Sequence, residues 1–247
     1  GESVIVLERG RWPRDKVCGE GVMPAGVDVL DRLGVLSLID EDQRRPFRGI
    51  SWLDNEGQGI DGDFASGQGL AIRRTGLSTA LYRRALSLDG IQLWQRAMVQ
   101  HMSCETDGMS LTVIHEGRCR IVKAAVVIGA DGRNSRVRKW SALQGEPPVS
   151  IRRWGARQHF CTKPWSDRVE VWWADGVEAY ITPSSESRVE VAFLWDEAVF
   201  EPPERGKNLV TSMLSLFPAL KDQLSDDLDT PTSAAAAMGP LAVAARG

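Results

Sequence analysis

The chain has 247 residues, 43% hydrophobic and 26% charged, a composition that suits a globular protein of one large or two smaller domains and excludes a disordered chain. Its 30 basic and 33 acidic residues are mixed along the sequence and leave a net charge of −3, so there is no positive field of the kind that holds a nucleic-acid backbone. No apolar run approaches the roughly 20 residues that cross a bilayer. The opening GESVIVLERG has neither the basic region nor the cleavage site of a signal peptide, so the sequence reads as cytoplasmic, without an integral membrane segment.

In chain order, Ser3 to Leu7 is a continuous apolar run with no preceding turn or helix, which looks like a chain cut inside a fold, and its lack of alternation predicts a parallel strand buried on both faces. Residues 25–38 place Val27, Leu30 and Leu33 near helical spacing behind Pro24. Short β-like pieces from Phe47 to Ile72, parted by glycine-rich turns, predict an antiparallel excursion. Residues 75–88 predict a helix with Leu77, Leu81 and Ala85 on one face. Three strands follow over 91–105, 109–117 and 119–132, with Asp107-Gly108 and Glu116-Gly117 as hairpin signals. Beyond Pro147-Pro148, residues 152–160, 168–175, 177–184 and 188–196 alternate with period two, predicting an antiparallel sheet with one face packed and one free. Residues 204–224 read as a helix that Pro218 kinks or divides, and the small apolar run 232–247 also looks cut.

Three places carry chemistry. Glu8 ends the first strand, where the acidic residue of a dinucleotide-binding fold accepts hydrogen bonds from a ribose, although a merely solvated carboxylate would look the same. In RDKVCGEGVMP, Gly19 and Gly21 let backbone approach a flat ligand closely, and Cys18 is either a contact or redox residue or a small hydrophobe. In IGADGRNSRVRK, Asp131 can bind sugar hydroxyls, Gly132 permits a tight turn and Ser135 can cap a helix starting at Arg136. Cys18, Cys104, Cys119 and Cys161 form no CxxC pair, and His101, His115 and His159 do not fall at metal-ligand spacing, so no metal site is expected. Five of the nine tryptophans (Trp140, Trp154, Trp165, Trp172, Trp173) cluster, which means either an aromatic-lined cavity or a thick core.

VIVLER, KVCGEG, RRTGLSTAL and GADGRNSRVRK stand in the order and spacing seen in FAD-dependent oxidoreductases of the p-hydroxybenzoate hydroxylase and geranylgeranyl reductase superfamily, which the chain resembles over nearly its whole length. The resemblance implies an α/β fold: an incomplete Rossmann-like FAD-binding domain (1–44, 71–148 and a return at 239–247) interleaved with an antiparallel β-sheet substrate domain (45–70 and 149–238). It implies that Glu8 binds the adenosine ribose, that Arg74 lies against the FAD pyrophosphate or ribityl chain, that Val99 offers its backbone to adenine, and that Asp131 and Gly132 stand near the cofactor. Arg9, Cys18, Gly19 and Gly21 are further cofactor-side candidates, and Trp172, Trp173 and Tyr180 candidates for the substrate pocket.

The implied activity is that of a monooxygenase reduced by NAD(P)H and acting on a small organic substrate. The alternatives are a flavin reductase of C=C bonds and a cofactor-free binding module. No side chain is assigned a catalytic role. The glycine-rich loop that meets the pyrophosphate and the Gly-Asp turn of the second flavin motif are both absent from these 247 residues, so the piece is expected to hold FAD poorly without them. Purified as 247 residues, the chain is expected to show no flavin absorbance; a bound flavin spectrum would overturn that expectation.

Overall fold

The computed structural model describes residues 3–145, 152–204, 206–224, 228 and 231–241. In chain order the elements are β1 (Val4–Glu8), β2 (Gly21–Val22), α1 (Pro24–Arg32), β3 (Arg44–Phe47), β4 (Gly49–Asp54), β5 (Gly59–Asp63), β6 (Gly69–Ile72) and α2 (Arg74–Leu86). Then come β7 (Ile91–Gln95), β8 (Met98–Glu105), β9 (Gly108–His115), β10 (Arg118–Ala124) and α3 (Arg136–Trp140). The last stretch holds β11 (Arg153–Phe160), β12 (Val169–Ala174), β13 (Val177–Ser185), β14 (Arg188–Asp196), α4 (Leu209–Met213), α5 (Pro218–Gln223) and β15 (Ala236–Met238). The chain divides into two units, one of residues 1–14, 81–149 and 242–247, the other of residues 15–80 and 150–241. Residues 242–247, where the sequence predicts a return to the first domain, lie outside the described residues.

In the first unit β1 runs parallel to β7, from Val4 opposite Ile91 to Glu8 opposite Gln95. The β8–β9–β10 meander is antiparallel, with Glu116 and Gly117 both at positive φ (53° and 73°), as a two-residue hairpin turn demands. The core is Ala97, Leu111, Val113 and Val122, with Ile5, Leu7, Trp94 and Val127 packed against it. Two expectations fail here. Val4 and Val6 are exposed, because the pleat sends only Ile5 and Leu7 inward and nothing among the described residues covers the other face. The apolar run after Ala124 is no strand: an extended segment becomes one only where a neighbour takes its hydrogen bonds, and Ile128 stands 86% exposed.

The second unit is built on a seven-stranded sheet of order β15-β11-β14-β13-β12-β4-β5. All its neighbours are antiparallel except β4 and β12. A second, small antiparallel sheet, β2-β6-β3, packs against the large one in the same unit through Phe47, Ala71 and Val169. The pleat sorts the large sheet's side chains into two faces. Trp172, Ala179, Val191 and Phe193 pack with Val210, Met213, Phe217 and Leu220 into the main core. Pro218 divides the helical stretch by opening α5 at its first position, where its missing N–H costs nothing.

The other face carries Arg157, His159, Thr182 and Glu190, and these are buried too. The expected free face is therefore absent over the sheet's centre, because its polar groups bond to one another and to the loop before β2. Helix α2 buries Ser78 and Ala80 and packs Leu77 against the neighbouring core cluster, as its spacing suggests, but leaves Leu81 exposed. Phe217 is wholly enclosed, so Phe217→Ala is expected to cost about 3–5 kcal/mol, read as a lower urea midpoint at unchanged m-value.

Candidate functional site

In the first unit, Glu8 sits at the carboxyl end of β1, which is where open α/β sheets present their ligands. Its Oε1 accepts the Gly10 N–H at 2.5 Å and the Arg14 guanidinium at 2.5 Å, while Oε2 has no hydrogen bond among the described residues. The loop that follows is pinned rather than loose. The Trp12 N–H donates to Gln95 (2.8 Å), whose amide donates to Tyr82 (3.1 Å), and the Trp12 and Tyr82 rings stack 5.1 Å apart. Arg9 is exposed.

Asp131 organises its own turn. Oδ1 accepts from the Ser135 hydroxyl (2.5 Å), and Oδ2 from the backbone N–H groups of Arg136 (2.7 Å) and Val137 (3.2 Å). Burial acts to raise its pKa, and these donors outweigh it and hold the carboxyl below its usual range. Ser135 is the N-cap of α3, accepting from the Arg138 N–H at 2.9 Å, as the sequence suggests. Gly132 has φ +82°, a conformation that favours glycine.

A run of hydrogen bonds joins Glu8 to this turn. The Glu8 carbonyl accepts from Ala97 (2.9 Å), two residues before Val99. The Val99 carbonyl accepts from Arg136 (3.0 Å), whose own N–H is held by Asp131. The Val99 carbonyl is thus already engaged by the chain itself.

In the second unit the KVCGEG loop is strained at its centre. Glu20 has φ +50°, and the Gly21 N–H reaches back to the Gly19 carbonyl at 2.6 Å. Such a three-residue turn is rare for a residue other than glycine and clusters at functional positions. The Glu20 side chain is buried: Oε1 accepts the Arg74 N–H at the start of α2 (2.7 Å), and Oε2 faces His159 Nε2 at 3.0 Å. Thr182 donates to the Gly19 carbonyl at 2.8 Å, and Cys18 is exposed. A Cβ built on Gly19 would meet nothing within 4 Å, and one on Gly21 nothing nearer than 3.7 Å. Among the described residues nothing stands against Gly19, whereas a side chain on Gly21 would touch Val169 and Phe47.

Behind the loop lie groups that reading along the sequence missed. Glu20, His159 and Glu190 bring their polar atoms within 4.8 Å of one another, all buried. Spacing along one strand could not find this set, because the sheet assembles it: Glu190 is the register partner of His159 on one side and of Thr182 on the other. A signal was present in the glutamate flanked by two glycines in Gly19-Glu20-Gly21.

The three pocket candidates do not share one face. Trp172 is in the core, donating to Glu170 at 2.9 Å, whereas Trp173 is half exposed on the opposite face, as adjacent strand residues must be. Tyr180 lies on the Trp173 face and donates to Glu178 at 2.6 Å; burial, then that carboxylate, push its pKa up to about 12.

Among solved structures, the fold is similar to a flavoprotein/dehydrogenase from Cytophaga hutchinsonii (TM-score 0.81, 16% identity, 99% of this chain and 62% of that one). It is also similar to a probable FAD-dependent monooxygenase from Pseudomonas aeruginosa (TM-score 0.70, 16% identity, 95% and 65%). In sequence, 142 residues are 30% identical to menaquinone reductase of Mycolicibacterium smegmatis, 55% of this chain and 33% of that protein. The chain thus spans about a third of that curated relative and somewhat under two thirds of those structures. With a sequence that matches the family over residues 1–205, and with an acid-ended parallel strand and a capped Asp-Gly turn in place, the chain belongs to the FAD binding domain family.

Proposed function

We propose that this chain is part of an FAD-dependent oxidoreductase that takes electrons from NAD(P)H and acts on a small organic substrate. The observation that carries the reading is the hydrogen-bonded run from Glu8 through Ala97 and Val99 to Arg136 and Asp131, which ties a carboxylate with one oxygen unpartnered among the described residues to an Asp-Gly turn. Glu8 Oε2 suits a pair of ribose hydroxyls, which need an acceptor held at fixed height above a strand end. Val99, its carbonyl engaged by Arg136, suits the adenine edge through the rest of its backbone, Arg74 suits the pyrophosphate, and Gly132 the close approach of backbone to cofactor, while the open space beside Gly19 suits a flat ring. Asp131 works through the turn it caps. Arg9 and Cys18, both exposed, are free to meet a bound nucleotide. When bound, FAD supplies the hydride and electron transfer, and the protein supplies position and electrostatics. No helix among the described residues is long and apolar enough to cross a membrane, and the balanced charge agrees with a cytoplasmic setting.

The similarity to a probable monooxygenase supports oxygen transfer to the substrate, with Trp173 and Tyr180 as contacts on their shared sheet face. A second reading, reduction of a C=C bond, is favoured by the sequence similarity to a menaquinone reductase and by the Cys18-Gly19-Glu20-Gly21 loop. Dissolved-oxygen uptake matched by hydroxylated product supports the first, and anaerobic reduction of an isoprenoid double bond supports the second. In the full-length protein, Glu8→Ala is expected to weaken FAD binding about 10- to 100-fold, the loss of one or two hydrogen bonds to a charged group, measured by flavin fluorescence titration. Unchanged affinity would overturn the role of Glu8, and a full-length protein that binds no FAD would overturn the whole reading.

A further inference from the structure

Glu190 is wholly buried at the centre of the seven-stranded sheet, and as a carboxylate neither of its oxygens has a hydrogen-bond partner among the described residues. Among the described residues the one full cation beside it, Arg157, stays at 3.9 Å and spends its other nitrogens on Asp15 (2.5 Å) and on His159 Nδ1 (3.0 Å). Arg157 can only donate, so His159 Nδ1 accepts, and the ring proton sits on Nε2 facing Glu20. Glu20 accepts from both sides and is held as the carboxylate. A Glu190 oxygen lies within 4.8 Å of a Glu20 oxygen, and two like charges so close and so buried cannot both persist.

We propose that Glu190 is kept as a carboxylic acid hydrogen-bonded to the Glu20 carboxylate, and that this pair is a general-acid site serving a ligand at the Cys18–Gly21 loop. The ligand class is an organic molecule that gains a proton on carbon or oxygen as it is reduced, which rests on the oxidoreductase reading above. In the step the Glu190 O–H bond breaks as its proton moves to Glu20, the member of the pair carried by the loop, Glu20 gives a proton to the ligand, and both groups are left as carboxylates until a proton returns. The pair regains its proton from solvent once the ligand has left, and His159, whose Nδ1 accepts from Arg157, stays in its Nε2–H form throughout. Cys18, two residues before Glu20 on the same loop, is exposed.

Burial first, then the charge on Glu20, raise the Glu190 pKa well above the ordinary 4.5, with Arg157 opposing. The folded state therefore holds a proton that the unfolded chain releases. The stability this gives is complete below about pH 4.5 and is lost as pH rises toward the folded pKa.

The test uses the 247-residue chain, the full-length enzyme, and Glu190→Gln, a neutral isostere. In the infrared, wild type is expected to show a carboxylic-acid C=O band at about pH 7 that Glu190→Gln lacks, and Glu20→Gln to lower the pH at which that band disappears. From about pH 5 to pH 8 the Tm of Glu190→Gln is expected to gain a few degrees on wild type. In the full-length enzyme, Glu190→Gln is expected to lower kcat by about 100-fold or more. No acid band at neutral pH, a pH-independent Tm difference, or stoichiometric Zn²⁺ or Mn²⁺ binding abolished by Glu190→Gln would each overturn the protonated pair. An acid band with unchanged kcat would overturn the general-acid role while leaving the flavin reading intact. Failure to bind FAD in the full-length protein would strike the flavin reading and leave the infrared result standing.

Discussion

Glu20 carries its carboxylate into the protein from a backbone conformation that a glycine would adopt more readily, and the second unit is arranged around that carboxylate. A residue other than glycine in such a turn costs about 1–3 kcal/mol. The same side chain accepts one bond from the first N–H of α2 and faces His159 on β11 with its other oxygen. Hydrogen bonds to a charged group contribute about 1.5–3 kcal/mol each, so two of them offset the strain. The consequence is positional. The Gly19–Gly21 turn, the start of α2 and the polar row of the large sheet are fixed to one another through a single group, and the open space beside Gly19 has a rigid back wall.

The first unit uses its acids differently. Asp131 spends both oxygens on Ser135 and on the first N–H groups of α3, so its contribution is the shape of the turn. Glu8 spends only one, on Gly10 and Arg14, and keeps the other available. The difference follows from local geometry. Asp131 lies four residues before a helix cap, within reach of donors with no partner in their own helix, whereas Glu8 ends a strand whose backbone is already paired with β7 and with Ala97. Of the two, Glu8 is the better placed to recognise a ligand and Asp131 the better placed to shape what approaches it.

Much of this was legible along the chain. Alternation in residues 152–196 marked β11 to β14, Glu116-Gly117 marked a hairpin whose two φ values are positive, and Pro218 marked the break between α4 and α5. Each is a local rule acting on neighbouring residues. Reading failed where the deciding partner lies far away in sequence. Val4 to Leu7 are all apolar and so predict burial on both faces, yet which faces are covered depends on what packs there. Residues 126–132 have the composition of a strand, and only pairing would make them one. Trp172 and Trp173 looked alike in a cluster of aromatics, although the pleat alone requires them to point apart.

The polar row of β11, β13 and β14 is the clearest case. Arg157 and His159 in GARQHF and Glu190 in RVEVAF follow the period-two pattern of a solvated face, and only register places Glu190 between His159 and Thr182. Stability alone gives such a row little reason to exist, because replacing a buried charged network with apolar residues of similar volume is often neutral or stabilising. Register gives it one. Sliding β14 by one residue would turn Glu190 to the apolar face and set valine or phenylalanine opposite Arg157 and His159, a penalty of buried unpaired charge. The row therefore opposes the slips that invert the sheet's faces and favours the alignment observed. That same alignment delivers the sheet's buried acid to the back of the Cys18–Gly21 loop, so the residues that fix the register are also those that a ligand at the loop would feel.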